Sequence, residues 1–308
     1  MGPYARTGLA GILACGVLLG VIGTVRHDEG DGDTRPPKGP YVALGDSYTS
    51  GPKIPDQSGK PEGCARSDRN YPALVAKELG IKAADFRDVS CSGATITDLT
   101  EAQSTDNGTN PAQFSALSAA TGLVTIGIGG NDMGFSSMIT KCVTAGALYG
   151  AVSNVTDVSQ QAPCKQEYVS GHTDKVGQSL RTAGEELSRA LDEIKSRAPK
   201  ARVYVVGYPA ILPAKGASCD RELPLAPGDL RFLHDTEQQL NTMLRDRAGT
   251  AGATYVDTYT PSVGHDACSA ENTRWIEPLK PSSPAAAVHP NERGERGMAD
   301  AVLRAVDA

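Results

Sequence analysis

The sequence predicts a three-layer α/β/α sandwich around a central, mainly parallel sheet. Short apolar runs bounded by glycine or proline, such as Tyr41 to Leu44, Leu123 to Ile128 and Arg202 to Val206, read as strands buried on both faces. Longer segments with a helical apolar period separate them, and strands joined through helices pair in parallel. The chain has 308 residues, 39% of them hydrophobic, which suits one large domain better than two. Its 34 glycines exceed the usual share of about 7%, as a fold with many tight turns requires.

In chain order, Arg6 precedes an uncharged run from Thr7 to Val25. Residues 1–26 read as a signal peptide or an N-terminal membrane anchor. A lipid attached at Cys15 is a third option, in the loose string Ile12-Leu13-Ala14-Cys15. Residues 27–40 are charged and rich in Gly and Pro, and read as a disordered linker. The folded domain then spans 41–308. It opens on the strand Tyr41 to Leu44, followed by a helix from Tyr71 to Leu79 with Asn70 as cap. Strands at Phe86 to Val89 and Leu123 to Ile128 come next. From Asp132 to Gly171 the periodicity weakens, suggesting an excursion tied by Cys142 and Cys164. A helix from Thr173 to Arg197 places Val176, Leu180, Leu187, Leu191 and Ile194 on one face. Arg202 to Val206 is a strand, Asp229 to Arg247 a helix, and Thr254 to Val256 a strand. The last helix begins just after Pro290 and Asn291.

Beyond Cys15 there are six cysteines: Cys64, Cys91, Cys142, Cys164, Cys219 and Cys268. An even number in an exported chain reads as three disulfides, and spacing leaves the pairing open. No C-x-x-C or clustered histidine accompanies them, so a metal site is not expected. The net charge is −6, with no Lys/Arg block to neutralise a row of phosphates, which argues against nucleic acid as a partner.

Chemistry in such a fold gathers at the carboxyl ends of the strands. Gly45-Asp46-Ser47-Tyr48 follows the first strand, exposing a serine hydroxyl on a tight turn. Cys91-Ser92-Gly93-Ala94 follows the second, where a glycine offers an unobstructed N–H. Gly129-Gly130-Asn131-Asp132 follows the third and supplies a side-chain amide. Val288-His289-Pro290-Asn291 opens the last helix. Of the other histidines, His27 falls in the linker, His172 and His234 on helices, and His265 reads as structural beside Cys268. Together the four motifs hold a nucleophile, Ser47, and a base, His289. They also hold three oxyanion donors, from Ser47, Gly93 and Asn131.

This ordered set resembles the SGNH (GDSL-like) hydrolases, whose signature residues would be Ser47, Gly93, Asn131 and His289. Tyr-Val-Ala-Leu-Gly-Asp-Ser and the six cysteines are most similar to exported actinobacterial lipases and esterases. The resemblance implies a flavodoxin-like sheet and a serine carboxylic ester hydrolase acting on lipid or short-acyl esters. It also implies no metal or other cofactor, and the sequential pairs Cys64–Cys91, Cys142–Cys164 and Cys219–Cys268. A carbohydrate O-acyl esterase and an inactive surface binding protein are the alternatives. The expected partner is a lipid or small ester substrate met by a monomer, with membrane association only through the N-terminal segment.

One departure stands out. The family's last block is Asp-x-x-His, yet Ala286 occupies the aspartate position and residues 284–288 contain no acid. A main-chain carbonyl of Ala286 or Ala287 is therefore expected at Nδ1 of His289, with Asp266 as the alternative partner.

Overall fold

The computed structural model describes residues 38–152, 162–214, 219 and 221–308. The proposed signal or anchor, Cys15, and all of the linker before Lys38 lie outside the described residues. Five strands form one parallel sheet: β1 (Tyr41–Gly45), β2 (Phe86–Asp88), β5 (Leu123–Gly127), β8 (Arg202–Val206) and β9 (Thr254–Val256). Their order is β2-β1-β5-β8-β9. Two short hairpins stand apart, β3 (Gln103–Thr105) with β4 (Gly108–Asn110), and β6 (Val169–Ser170) with β7 (Thr173–Asp174). Every residue of β1 and β5 is buried, as their continuous apolar character requires.

Alternation along these strands divides the core. Tyr41, Ala43, Leu123, Tyr204 and Val206 face one layer with Tyr71, Val75, Met298 and Val302. Those partners come from α2 (Tyr71–Glu78) and α8 (Glu292–Val306). Val42, Leu44, Val124, Ile126 and Val205 face the other, with Leu187, Leu191, Leu240 and Leu244. These lie on α5 (Lys175–Arg197) and α6 (Pro227–Thr250). Asn70 and Asn291 cap α2 and α8 with their side chains. The order places β1 beside β5 at the point where connections change direction. The segments that follow both strands therefore lie side by side at the carboxyl end of the sheet.

Several expectations are corrected. Within Asp132 to Gly171 lies an 18-residue helix, α3 (Phe135–Val152), where only a weak excursion was expected. Thr173 and Asp174 belong to a hairpin, so α5 starts two residues later, capped by Asp174. α6 runs beyond both expected ends, and at its start Pro227 suits a first turn, having no N–H to leave unpaired. His172 sits in the β6–β7 turn and not on a helix. One-turn helices α1 (Ser47–Ser50), α4 (Lys165–Tyr168) and α7 (Tyr259–Ser262) complete the set. Among the described residues no helix is long and apolar enough to cross a membrane.

Candidate active site

The serine turn is fastened on several sides. Gly45 has φ +152°, and a Cβ there would lie 2.5 Å from the Gly127 carbonyl, so only glycine fits. The Gln113 side chain bonds both the N–H and the C=O of Gly45. Asp46 caps α1 by accepting from the Tyr48 N–H at 2.9 Å. Its other oxygen accepts from the Tyr208 hydroxyl, which in turn accepts from the Gly130 N–H at 2.9 Å. Burial pushes the Asp46 carboxyl up to about 7, against the pull of Tyr208 and the Tyr48 N–H. Ser47 is left at the head of α1, 7% exposed.

Two loops bring the other donors alongside. Gly93 has φ +80°, which favours glycine. Its loop is anchored by the Cys64–Cys91 disulfide and by the Ser92 N–H bonded to the Cys64 carbonyl. Asn131 donates one amide hydrogen to the Ala94 carbonyl at 2.9 Å, which orients the amide and leaves its second hydrogen available. Asp132 accepts from the Ile96 N–H at 2.9 Å, a second tie between the same loops. Among the described residues the N–H groups of Ser47 and Gly93 have no protein acceptor.

His289 completes the cluster. Its Nε2 lies 2.8 Å from Ser47 Oγ, and its Nδ1 lies 2.8 Å from the Ala287 carbonyl. With Nδ1 protonated toward that carbonyl, Nε2 is free to accept the serine proton. Burial lowers the imidazole below its ordinary value; the Ala287 carbonyl opposes this, and the nearby Lys53 ammonium adds to it. The segment around His289 is held mostly by main-chain bonds. Val288 N–H donates to the Glu277 carbonyl, and Glu277 N–H donates to the His289 carbonyl, each at 2.9 Å. Ala286 N–H donates to the Pro52 carbonyl at 3.0 Å. Glu277 also accepts from Asn291, Ser282 and Ser283 with its buried carboxylate.

The late-chain acids Asp266, the alternative partner of His289, and Asp257 are engaged elsewhere. Asp266 accepts from the Cys268 N–H, and Asp257 holds Thr260. His265 pairs its Nδ1 with the Thr273 carbonyl and stacks on Trp275 at 5.2 Å. The disulfides Cys64–Cys91, Cys142–Cys164 and Cys219–Cys268 are all present. Among the described residues, only Cys142, Cys164 and Asp229 bring three ligand-type atoms together. There the sulfurs are bonded to each other, and Asp229 accepts from the N–H groups of Cys164 and Lys165.

Sequence reasoning missed Tyr208 and Glu277, and assigned no role to Asp46 or Tyr48. Tyr208 had a usable signal, since it follows the end of β8 by the same strand-end rule. Glu277 had none.

The comparisons with known proteins identify the family. The profile of the GDSL-like lipase/acylhydrolase family matches residues 43–296. "Lipase 2" of Streptomyces coelicolor is 42% identical over 262 residues, 84% of this chain and 83% of that protein. A solved phospholipase A1 from Streptomyces albidoflavus superposes with a TM-score of 0.67 at 28% identity, covering 87% of this chain and 98% of that one. A solved extracellular lipase from Streptomyces rimosus gives the same TM-score at 26% identity, covering 87% and 99%. The molecule is an ester-hydrolysing serine hydrolase. The chain belongs to the GDSL-like lipase/acylhydrolase family.

Proposed function

We propose that this is an exported lipase or esterase in which Ser47 and His289 act as a dyad on lipid or short-acyl esters. The reading rests on one observation above all, the 2.8 Å contact of His289 Nε2 with Ser47 Oγ. His289 takes the Ser47 proton as Oγ bonds to the ester carbonyl carbon. The resulting oxyanion sits against the N–H groups of Ser47 and Gly93 and the free amide hydrogen of Asn131. Collapse of this intermediate breaks the bond to the alcohol oxygen, which leaves with the proton from His289. Water then adds to the acyl-enzyme, with His289 again taking and returning a proton, and the carboxylic acid departs.

The three disulfides favour an oxidising compartment. The hydrolase domain would then be 41–308, behind an export segment at 1–26 and a linker at 27–40. Relatives named lipase and phospholipase A1 favour lipid esters.

The test is a panel of p-nitrophenyl esters, triglycerides, phospholipids and acetylated sugars, with Ser47→Ala as control. Turnover of glycerides or phospholipids, labelling of Ser47 by a fluorophosphonate, and a fall in kcat of roughly 10⁴-fold or more in Ser47→Ala are expected. Activity on acetylated sugars alone would move the substrate to carbohydrate esters. Labelling of a different serine would remove Ser47 from the chemistry.

A further inference from the structure

Val288 has φ +60°, in the left-handed region, and it is β-branched, the side-chain class least suited to that conformation. It stands between Ala287, whose carbonyl meets the imidazole, and His289, which carries the imidazole. Rotation about the Val288 N–Cα bond turns the Ala287 carbonyl relative to His289. The left-handed φ is therefore what folds that oxygen back toward Nδ1. In an extended Val288, the carbonyl two residues before the histidine would point away from its own side chain.

A strained residue persists only where its surroundings over-determine it. Two of the bonds that hold this turn involve main-chain atoms of Glu277, one at the Val288 N–H and one at the His289 carbonyl. The third is a side chain: the Tyr48 hydroxyl donates to the Val288 carbonyl at 2.5 Å. Tyr48 directly follows Ser47 and is itself fixed. It is 7% exposed, its ring lies 4.9 Å from the His289 ring, and it meets Tyr208 edge-on at 5.1 Å.

We propose that Tyr48 is a positioning residue whose hydroxyl locks the left-handed turn at Val288 and so aims the Ala287 carbonyl at His289. In this chain the tyrosine and the strained valine together stand in for the missing aspartate. The inference rests on the Ser47–His289 dyad. It adds a mechanical link in which the residue after the nucleophile sets the orientation of the base.

Phenylalanine keeps the ring contacts and removes only the hydroxyl, so Tyr48→Phe isolates this bond, with an unchanged melting temperature as the check on folding. The expected result is a fall in kcat of about 10- to 100-fold with KM within about twofold. The acidic limb of kcat/KM should also move to lower pH, because a carbonyl that has swung away no longer favours the imidazolium. Glycine takes φ +60° without strain. Adding Val288→Gly to Tyr48→Phe should therefore restore part of the lost kcat. An unchanged kcat in Tyr48→Phe overturns the proposal. So does a loss with an unmoved acidic limb and no recovery in the double variant, since that would make Tyr48 a packing residue. Ser47→Ala is run beside them; if it keeps full activity, the dyad reading fails and not the role of Tyr48.

Discussion

The two halves of the dyad are held in opposite ways. Ser47 follows β1, a fully buried strand with neighbours on both sides, and its turn is braced by buried side chains of Asp46, Gln113 and Tyr208. His289 sits in an irregular segment where Ile276 and Pro290 form one isolated bridge. Individual main-chain bonds to Pro52 and Glu277, with one from Tyr48, do the rest. A residue at the end of a sheet strand inherits its position from a whole ladder, so no single bond decides it. A residue on an irregular segment depends on each bond separately. The proposed nucleophile is thus robust and the proposed base tunable.

Substitutions can break this contrast. After Ser47→Ala, the largest effect expected falls on the sheet side, at the group proposed to meet the developing charge. Asn131→Ala should lower kcat by about 10²- to 10³-fold with a smaller change in KM. Steady-state kinetics showing a change in KM alone would place Asn131 in ground-state binding.

On the irregular side the contrast shows as pH dependence. Because His289 lies below its ordinary value, it stays a neutral base to lower pH than an exposed histidine. The acidic limb of kcat/KM should accordingly fall below pH ~6.5, with activity rising through the limb and full above it. The stability linkage has the same sign: a depressed histidine contributes stability that is lost as pH falls through its folded-state value. A limb above the ordinary value would mean that a charged acid faces the imidazole.

The smallest effects sharpen the comparison by their absence. Asp266→Asn and Asp257→Asn should each leave kcat within about threefold, against the roughly 10⁴-fold loss when a triad aspartate is neutralised. Loss of turnover in a folded Asp266→Asn enzyme would restore a conventional triad.

Much of this was legible in the chain. The central strands β1 and β5 stand out as apolar runs, because burial on both faces removes polar residues from them, whereas the edge strands β2 and β9 are short and only partly buried. The positions of Ser47, Gly93, Asn131 and His289 follow from strand-end turns and one helix start. α3 was hidden for a physical reason. Phe135, Met138, Ile139 and Cys142 are buried at helical spacing. The outward face, however, carries Ser136, Ser137, Thr140 and Thr144, so the polar contrast is weak. Thr140 and Thr144 even bond back to carbonyls one turn earlier, a habit that lowers helix propensity. The braces of the site were illegible for another reason, distance along the chain. Tyr208 meets Asp46 across 162 positions, and Tyr48 meets Val288 across 240.

The acceptor at Nδ1 of His289 is a main-chain oxygen, and this has a consequence for how the enzyme can drift over generations. A triad aspartate can be lost through a single nucleotide change in its codon. The Ala287 oxygen belongs to the peptide unit, so a codon change at 287 replaces a methyl group and leaves the acceptor in place. Position 287 is free to vary without any trace of its importance in an aligned column. The mutational burden shifts to Tyr48 and Val288, where an ordinary hydrophobic substitution would pass for a conservative one.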